Sequence, residues 1–87
     1  MELTLDRDVL TSRGSVHDYF AEKLEFPAYY GRNLDALYDL LCEYPNELHI
    51  TILNHEAVSA ALGGYGRSLI RTLEDAAEKN PKITIAF

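Results

Sequence analysis

Three short strand-like runs punctuate the chain at wide intervals, and two segments of helical character lie between each run and the next. ELTLD near the start alternates polar and apolar residues, LHITIL (Leu48 to Leu53) is rich in β-branched residues, and KITIAF closes the chain in the same manner. Tight turns join antiparallel neighbours, whereas strands separated by helices imply crossover connections and a parallel sheet. The order β-α-α-β-α-α-β therefore predicts an α/β fold: a three-stranded parallel sheet packed by about four helices. The last two strands are apolar enough to be expected under helical cover.

The helical segments have readable ends. Ser15 is a candidate N-cap for a first helix whose apolar positions Val16, Tyr19, Phe20 and Leu24 recur at helical spacing, and Pro27 stops its continuation. In the loop AYYGR, Gly31 is the residue expected at positive φ. Asn33 can cap a second helix running from Leu34 to about Glu43, with Leu34, Leu37, Leu40 and Leu41 as its core stripe. Asn54 can cap a short helix over HEAVSAAL, and GGYG reads as its end and as a hinge. A fourth helix is expected from about Arg67 to Lys79, with Leu69, Ile70, Leu73 and Ala76 or Ala77 turned inward and Asn80-Pro81 as its stop.

With 87 residues and no linker, repeat or low-complexity stretch, residues 1–87 are expected to form one domain. Such a chain buries only about 60–65% of its unfolded surface, so few residues remain to wall a deep catalytic cavity. The formal charge of −6 argues against a direct nucleic-acid binder, which needs a basic surface, and suits either a basic partner or plain solubility. One cysteine, Cys42, excludes an internal disulfide and fits a reducing compartment. His17, His49 and His55 are scattered without metal-ligand spacing, so neither a metal nor a cofactor is expected. No signal-like or membrane-spanning run is present, and the expectation is a cytoplasmic protein with no membrane partner.

The stretch FPAYYGRNLDALYDLL (Phe26 to Leu41) concentrates the chemistry. At about 100° per residue, Asp39 lies only about 40° round the helix from Asp35, and Tyr38 about 60° from Asp35 on the other side. Leu34, Leu37 and Leu41 take the opposite flank, which leaves an acidic, aromatic face. Like charges at this spacing cost roughly 0.2–0.5 kcal/mol, and the helix dipole offsets some of that for Asp35 but little for Asp39. The pair is better accounted for if a positive surface meets it, although a solvated helix face is the common alternative. Tyr29, Tyr30 and Tyr38 add amphipathic area of the kind binding surfaces use, with core packing as the alternative for each. A carboxylate pair can also serve glycoside hydrolysis, but both acids here share one short helix, and GGYG lacks the lysine of a phosphate loop. His17 falls in an amphipathic helix, where a structural role is the simpler reading.

PAYYGRNLDALYDLL, Pro27 to Leu41, resembles the barstar family, the intracellular inhibitors of barnase-type ribonucleases. The similarity extends more weakly to Val16-His17, Leu24 and the C-terminal ITI, and covers most of the chain in order and length. The resemblance implies a three-stranded parallel sheet with four helices and a 1:1 complex in which the second helix and its preceding loop plug a nuclease active site. By position in the motif, Asp39 would take the place of a substrate phosphate among arginine and histidine side chains, Asp35 would be a second acidic contact, and Tyr29 would stack on a catalytic histidine of the nuclease. Gly31, Asn33 and Tyr38 fall at other contact positions, with Tyr30 beside them; Asp75 falls at an outlying acidic one, with Glu74 as its competitor. The turn CEYPNE departs from the family pattern, and Cys42, Glu43 and Tyr44 are carried over on position alone. A tryptophan usual in the motif is Tyr38 here, and Arg32 replaces an acidic residue, so the target is expected to be a basic ribonuclease or ribonuclease toxin with an altered rim. The alternative is an immunity or binding module of the same fold for a different basic protein.

Overall fold

The computed structural model describes residues Met1–Phe87. Its elements are β1 (Glu2–Leu5), α1 (Arg13–Leu24), α2 (Leu34–Cys42), β2 (Leu48–Ile52), α3 (His55–Leu62), α4 (Gly64–Lys79) and β3 (Ile83–Ala86). The strands are all parallel in the order β1-β2-β3, with Leu3 opposite Ile50 and Ile50 opposite Ile85. The expected order of elements and the parallel sheet are therefore what the chain adopts.

Helical cover is confined to one face of the sheet. Leu3 and Leu5, Leu48, Ile50 and Ile52, and Ile83 are buried, while Glu2, Thr4, His49 and Thr84 between them are exposed. Each strand alternates, so only one face is apolar and only that face carries helices; β2 is not the two-sided apolar run that an enclosed parallel strand requires. On the open face His49 Nδ1 and Thr84 Oγ1 bond across the strands. The free edge of β1 is blunted from the side: Tyr19 Oη accepts from the Thr4 N–H (3.2 Å) and donates to the Thr4 carbonyl (3.0 Å).

The core is a cluster of 17 apolar residues from every element, with Phe20, Leu37, Leu41, Leu69 and Leu73 carrying the helix side. Each such side chain contributes about 1.5–3 kcal/mol by leaving water. Leu34 and Leu40 are only half-buried at the margin, so the deep stripe of α2 is Leu37 and Leu41 alone.

Three local expectations are corrected. The cap of α1 is Ser12, not Ser15: Ser12 Oγ accepts from the Ser15 N–H (3.1 Å) while Ser15 Oγ accepts from the Ser12 N–H (2.9 Å), a reciprocal box that places Ser15 inside the first turn. GGYG is no open hinge, because α4 begins at Gly64 rather than Arg67 and only Gly63, at φ 62°, separates it from α3. Gly66 is buried where α4 meets α3, and a Cβ there would stand 2.8 Å from Ser59 Cα. The reason for that glycine is close packing between helices. The positive φ expected at Gly31 lies instead at Arg32, at 56°.

Candidate functional site

α2 and the loop before it are held from three directions. At the start of the helix Asn33 Oδ1 accepts from the Ala36 N–H at 2.8 Å, the expected cap, and Asn33 Nδ2 turns back to the Gly31 carbonyl at 3.3 Å. A Cβ at Gly31 would fit tightly, 3.1 Å from Asn33 Nδ2 and 3.4 Å from Ala36 Cβ. At the far end Asn80 is buried and donates from Nδ2 to the carbonyls of Leu41 (2.9 Å), which also accepts from the Tyr44 N–H, and of Tyr44 (3.0 Å). Asn80 thus ties the end of α4 to the end of α2, a role beyond the chain stop read from Asn80-Pro81. Lys82 adds Nζ to the Pro45 carbonyl at 2.6 Å.

The third anchor lies beneath the loop. Tyr30 is buried, packs its ring 4.8 Å from that of Phe26, and places its hydroxyl 2.5 Å from His17 Nδ1. The other ring nitrogen of His17 is 2.5 Å from the Tyr65 hydroxyl in the first turn of α4. His17 is 2% exposed with both nitrogens bonded, so it is the structural histidine its sequence context implied. Burial, helped by the Arg32 guanidinium and opposed by Asp18, holds the His17 pKa below its usual value. Burial likewise pushes the Tyr30 and Tyr65 phenols up, so both hydroxyls stay protonated. Arg13 lies over the Tyr65 ring, 4.5 Å from its centroid. Tyr65 drew no notice in the sequence, because its connection to His17 spans 48 residues.

Above these anchors the predicted site residues separate into groups. Tyr29 is 83% exposed on the loop tip. It lines a hollow of about 160 Å³ with Tyr30, Gly31, Ala36, Asp39 and Leu40, so loop and helix meet at Asp39. Asp35 and Asp39 are both exposed. Tyr38 is half-buried beside them, and its phenol pKa is raised, chiefly by the neighbouring Cys42 thiol, then by desolvation and the negative charges of Asp75 and Asp39. Of the two adjacent acids of α4, both exposed, Asp75 is the one whose charge reaches Tyr38. Glu43 and Tyr44 sit apart, around a second hollow with Phe26, Pro27 and Leu40. Tyr30, 8% exposed, supports the loop and offers little surface of its own.

The electrostatics are one-sided. The molecule contains one ion pair, Asp18–Arg32, and it involves none of Asp35, Asp39 or Asp75. Three carboxylates thus stand along α2 and α4 without a cation of their own, beside exposed aromatic surface and on a helix fixed at both ends. No group of histidine, cysteine and acidic residues is arranged to hold a metal ion, and no helix is long and apolar enough to cross a membrane.

Comparison with known proteins agrees with this geometry. The chain is 38% identical over 65 residues to the "Putative ribonuclease inhibitor YrdF" of Bacillus subtilis (strain 168), an alignment covering 74% of this chain and 71% of that protein. A family model described as Barstar (barnase inhibitor) matches residues 1–87. That match does not stop at the α2 motif but takes in the sheet and the α4 helix that carry the face, and the chain belongs to the barstar family.

Proposed function

We propose that this protein, acting as one domain, inhibits a basic, barnase-like ribonuclease by seating the α2 face and its preceding loop in the enzyme's active site as a 1:1 complex. The observation that carries the reading is the set of unpaired carboxylates, Asp35 and Asp39 on one face of a helix anchored at both ends, with Asp75 on the neighbouring α4. A ribonuclease cleft must be positive to bind the RNA backbone. Carboxylates meeting its arginines make short, charge-assisted hydrogen bonds, so Asp39 and Asp35 stand in for substrate phosphates. Tyr29, projecting from the loop tip, supplies the ring that stacks on a catalytic histidine of the enzyme, while Gly31, Asn33, Tyr38 and Cys42 complete the central contact and Glu43 and Tyr44 its edge. The inhibitor works in the cytosol, where its lone thiol stays reduced.

The hollow beside Asp39, about 160 Å³, is smaller than the roughly 300 Å³ at which small-molecule sites begin. That supports an inhibitor over a hydrolase built on the same carboxylates. Arg32 and Tyr38, where the family pattern has an acid and a tryptophan, favour a nuclease whose rim differs from barnase; a basic protein of another kind is the second reading.

RNA cleavage by a barnase-type ribonuclease, titrated with this protein, tests the proposal. Stoichiometric loss of activity is expected. Asp39→Ala removes one member of a buried charged pair and is expected to weaken inhibition by about 3–5 kcal/mol, more than a hundredfold, with Glu78→Ala near neutral. Full cleavage at large molar excess, against several such nucleases, rejects the ribonuclease reading; a tight complex with a non-nuclease, lost on Asp39→Ala, would replace it.

A further inference from the structure

Arg32 is the one residue of the loop that combines a strained backbone with a tethered side chain. Its φ of 56° is unfavourable for a residue bearing a Cβ, and it falls directly between Gly31 and the Asn33 cap. The guanidinium turns away from α2 toward α1: Nη2 lies 2.8 Å from Asp18 Oδ1 and donates to the Gly14 carbonyl at 3.2 Å. Arg32 therefore does not merely subtract negative charge from the rim. Its cation is matched by an anion on another element, in the only ion pair the molecule contains.

The placement has two effects. Three residues of chain span at most about 10 Å, so an unmatched charge at Arg32 lies within roughly one screening length of Asp35. It would oppose the field of the acidic face. The tether also coincides with the left-handed turn that lies between Tyr29 and the Asn33 cap.

We propose that Asp18 is a positioning residue of the inhibitory face, which holds the Arg32 guanidinium against α1 and so keeps a cation off the acidic surface while seating the Tyr29–Gly31 loop. The role rests on the inhibitory reading given above. It makes Asp18, on α1 and outside the α2 motif, a determinant of how fast a basic partner is captured.

The test is a cycle of Asp18→Asn, Arg32→Gln and the double variant, with circular dichroism to verify folding. Association with a barnase-type ribonuclease is followed at low and at moderate salt. Asp18→Asn is expected to slow association about three- to tenfold at low salt, with the deficit shrinking as salt rises. Arg32→Gln is expected to bind at least as fast as wild type, and the double variant to return to within about twofold of it, because the offending charge is gone. In the free protein, amide exchange at Tyr30 and Ala36 is expected to rise about two- to fivefold in Asp18→Asn, the scale of one exposed ion pair. An Asp18→Asn protein that associates like wild type, or a double variant that keeps the whole deficit, overturns the charge-matching role. Unchanged amide exchange overturns the seating role. Wild-type protein that fails to slow the nuclease refutes the inhibitory reading instead, and the exchange measurement then still decides whether Asp18 seats the loop.

Discussion

Replacing His17 with phenylalanine separates the contribution of its two hydrogen bonds from that of its bulk. The side chain is 2% exposed and joins Tyr30 of the loop to Tyr65 of α4, so both phenols lose a partner while the ring volume is largely kept. The Tyr30 hydroxyl is buried and cannot recover a water, which costs about 1–3 kcal/mol. Tyr65 is half-buried, can rehydrate, and should cost about 1 kcal/mol or less. The expected loss is therefore about 1–4 kcal/mol, a substantial part of the roughly 4–13 kcal/mol available to an 87-residue chain. Urea unfolding followed by circular dichroism measures it. Tyr30→Phe placed on top of His17→Phe should cost little more, since it removes the stranded hydroxyl, and the cycle should show coupling of about 0.5–3 kcal/mol. The same histidine sets a pH dependence. Its pKa is lowered in the folded state, so its contribution is fully present above the unfolded value near 6.5 and is lost as pH falls through the folded value. His17→Phe should lose that acid limb of the stability profile. A loss under about 0.5 kcal/mol, strict additivity with Tyr30→Phe, or an unchanged acid limb would refute the reasoning.

Asn33→Ala deletes the N-cap bond to Ala36 and is expected to cost about 1 kcal/mol, with faster amide exchange confined to the first turn of α2. Gly66→Ala discriminates helix propensity from packing: propensity alone predicts a gain of about 1 kcal/mol, whereas a Cβ 2.8 Å from Ser59 Cα and 3.0 Å from the Val58 carbonyl predicts a loss of about 1–3 kcal/mol, readable as a shift in urea midpoint. Asn80→Ala strands the Tyr44 carbonyl, while the Leu41 carbonyl keeps the Tyr44 N–H at 3.1 Å, and is expected to cost about 1–3 kcal/mol, with NMR shift changes at Glu43 and Tyr44.

Much of the site was legible because it is local. Asn33 caps α2 through a bond three residues long, and Asp35 and Asp39 share a face because the helix repeat puts them there. Tyr30 and Gly31 show where local reading ends. A tyrosine beside an acidic helix can lie on a binding surface or in the core, and the buried Tyr30 hydroxyl finds its partner in a histidine 13 residues earlier in the chain. Gly31 invited a positive φ on propensity, yet Arg32 adopts it, a conformation that coincides with the guanidinium's contacts on α1. Ser12 and Ser15 are both good caps, and only the reciprocal bonds decide between them.

By itself the sequence determined the element order, the parallel sheet, the two-faced α2 and an excess of acid suited to a basic partner. These follow from periodicity and composition, which act over a few residues or over the chain as a whole. Tertiary structure alone decided that Tyr30 is core rather than surface, that Asn80 secures the end of α2, that His17 bridges Tyr30 and Tyr65, and that Asp18 matches Arg32. The physical reason is common to all four. Each depends on where a short polar side chain lands once the apolar core has brought distant segments together, and hydrogen bonds and ion pairs decay over a few ångströms that no spacing along the chain encodes.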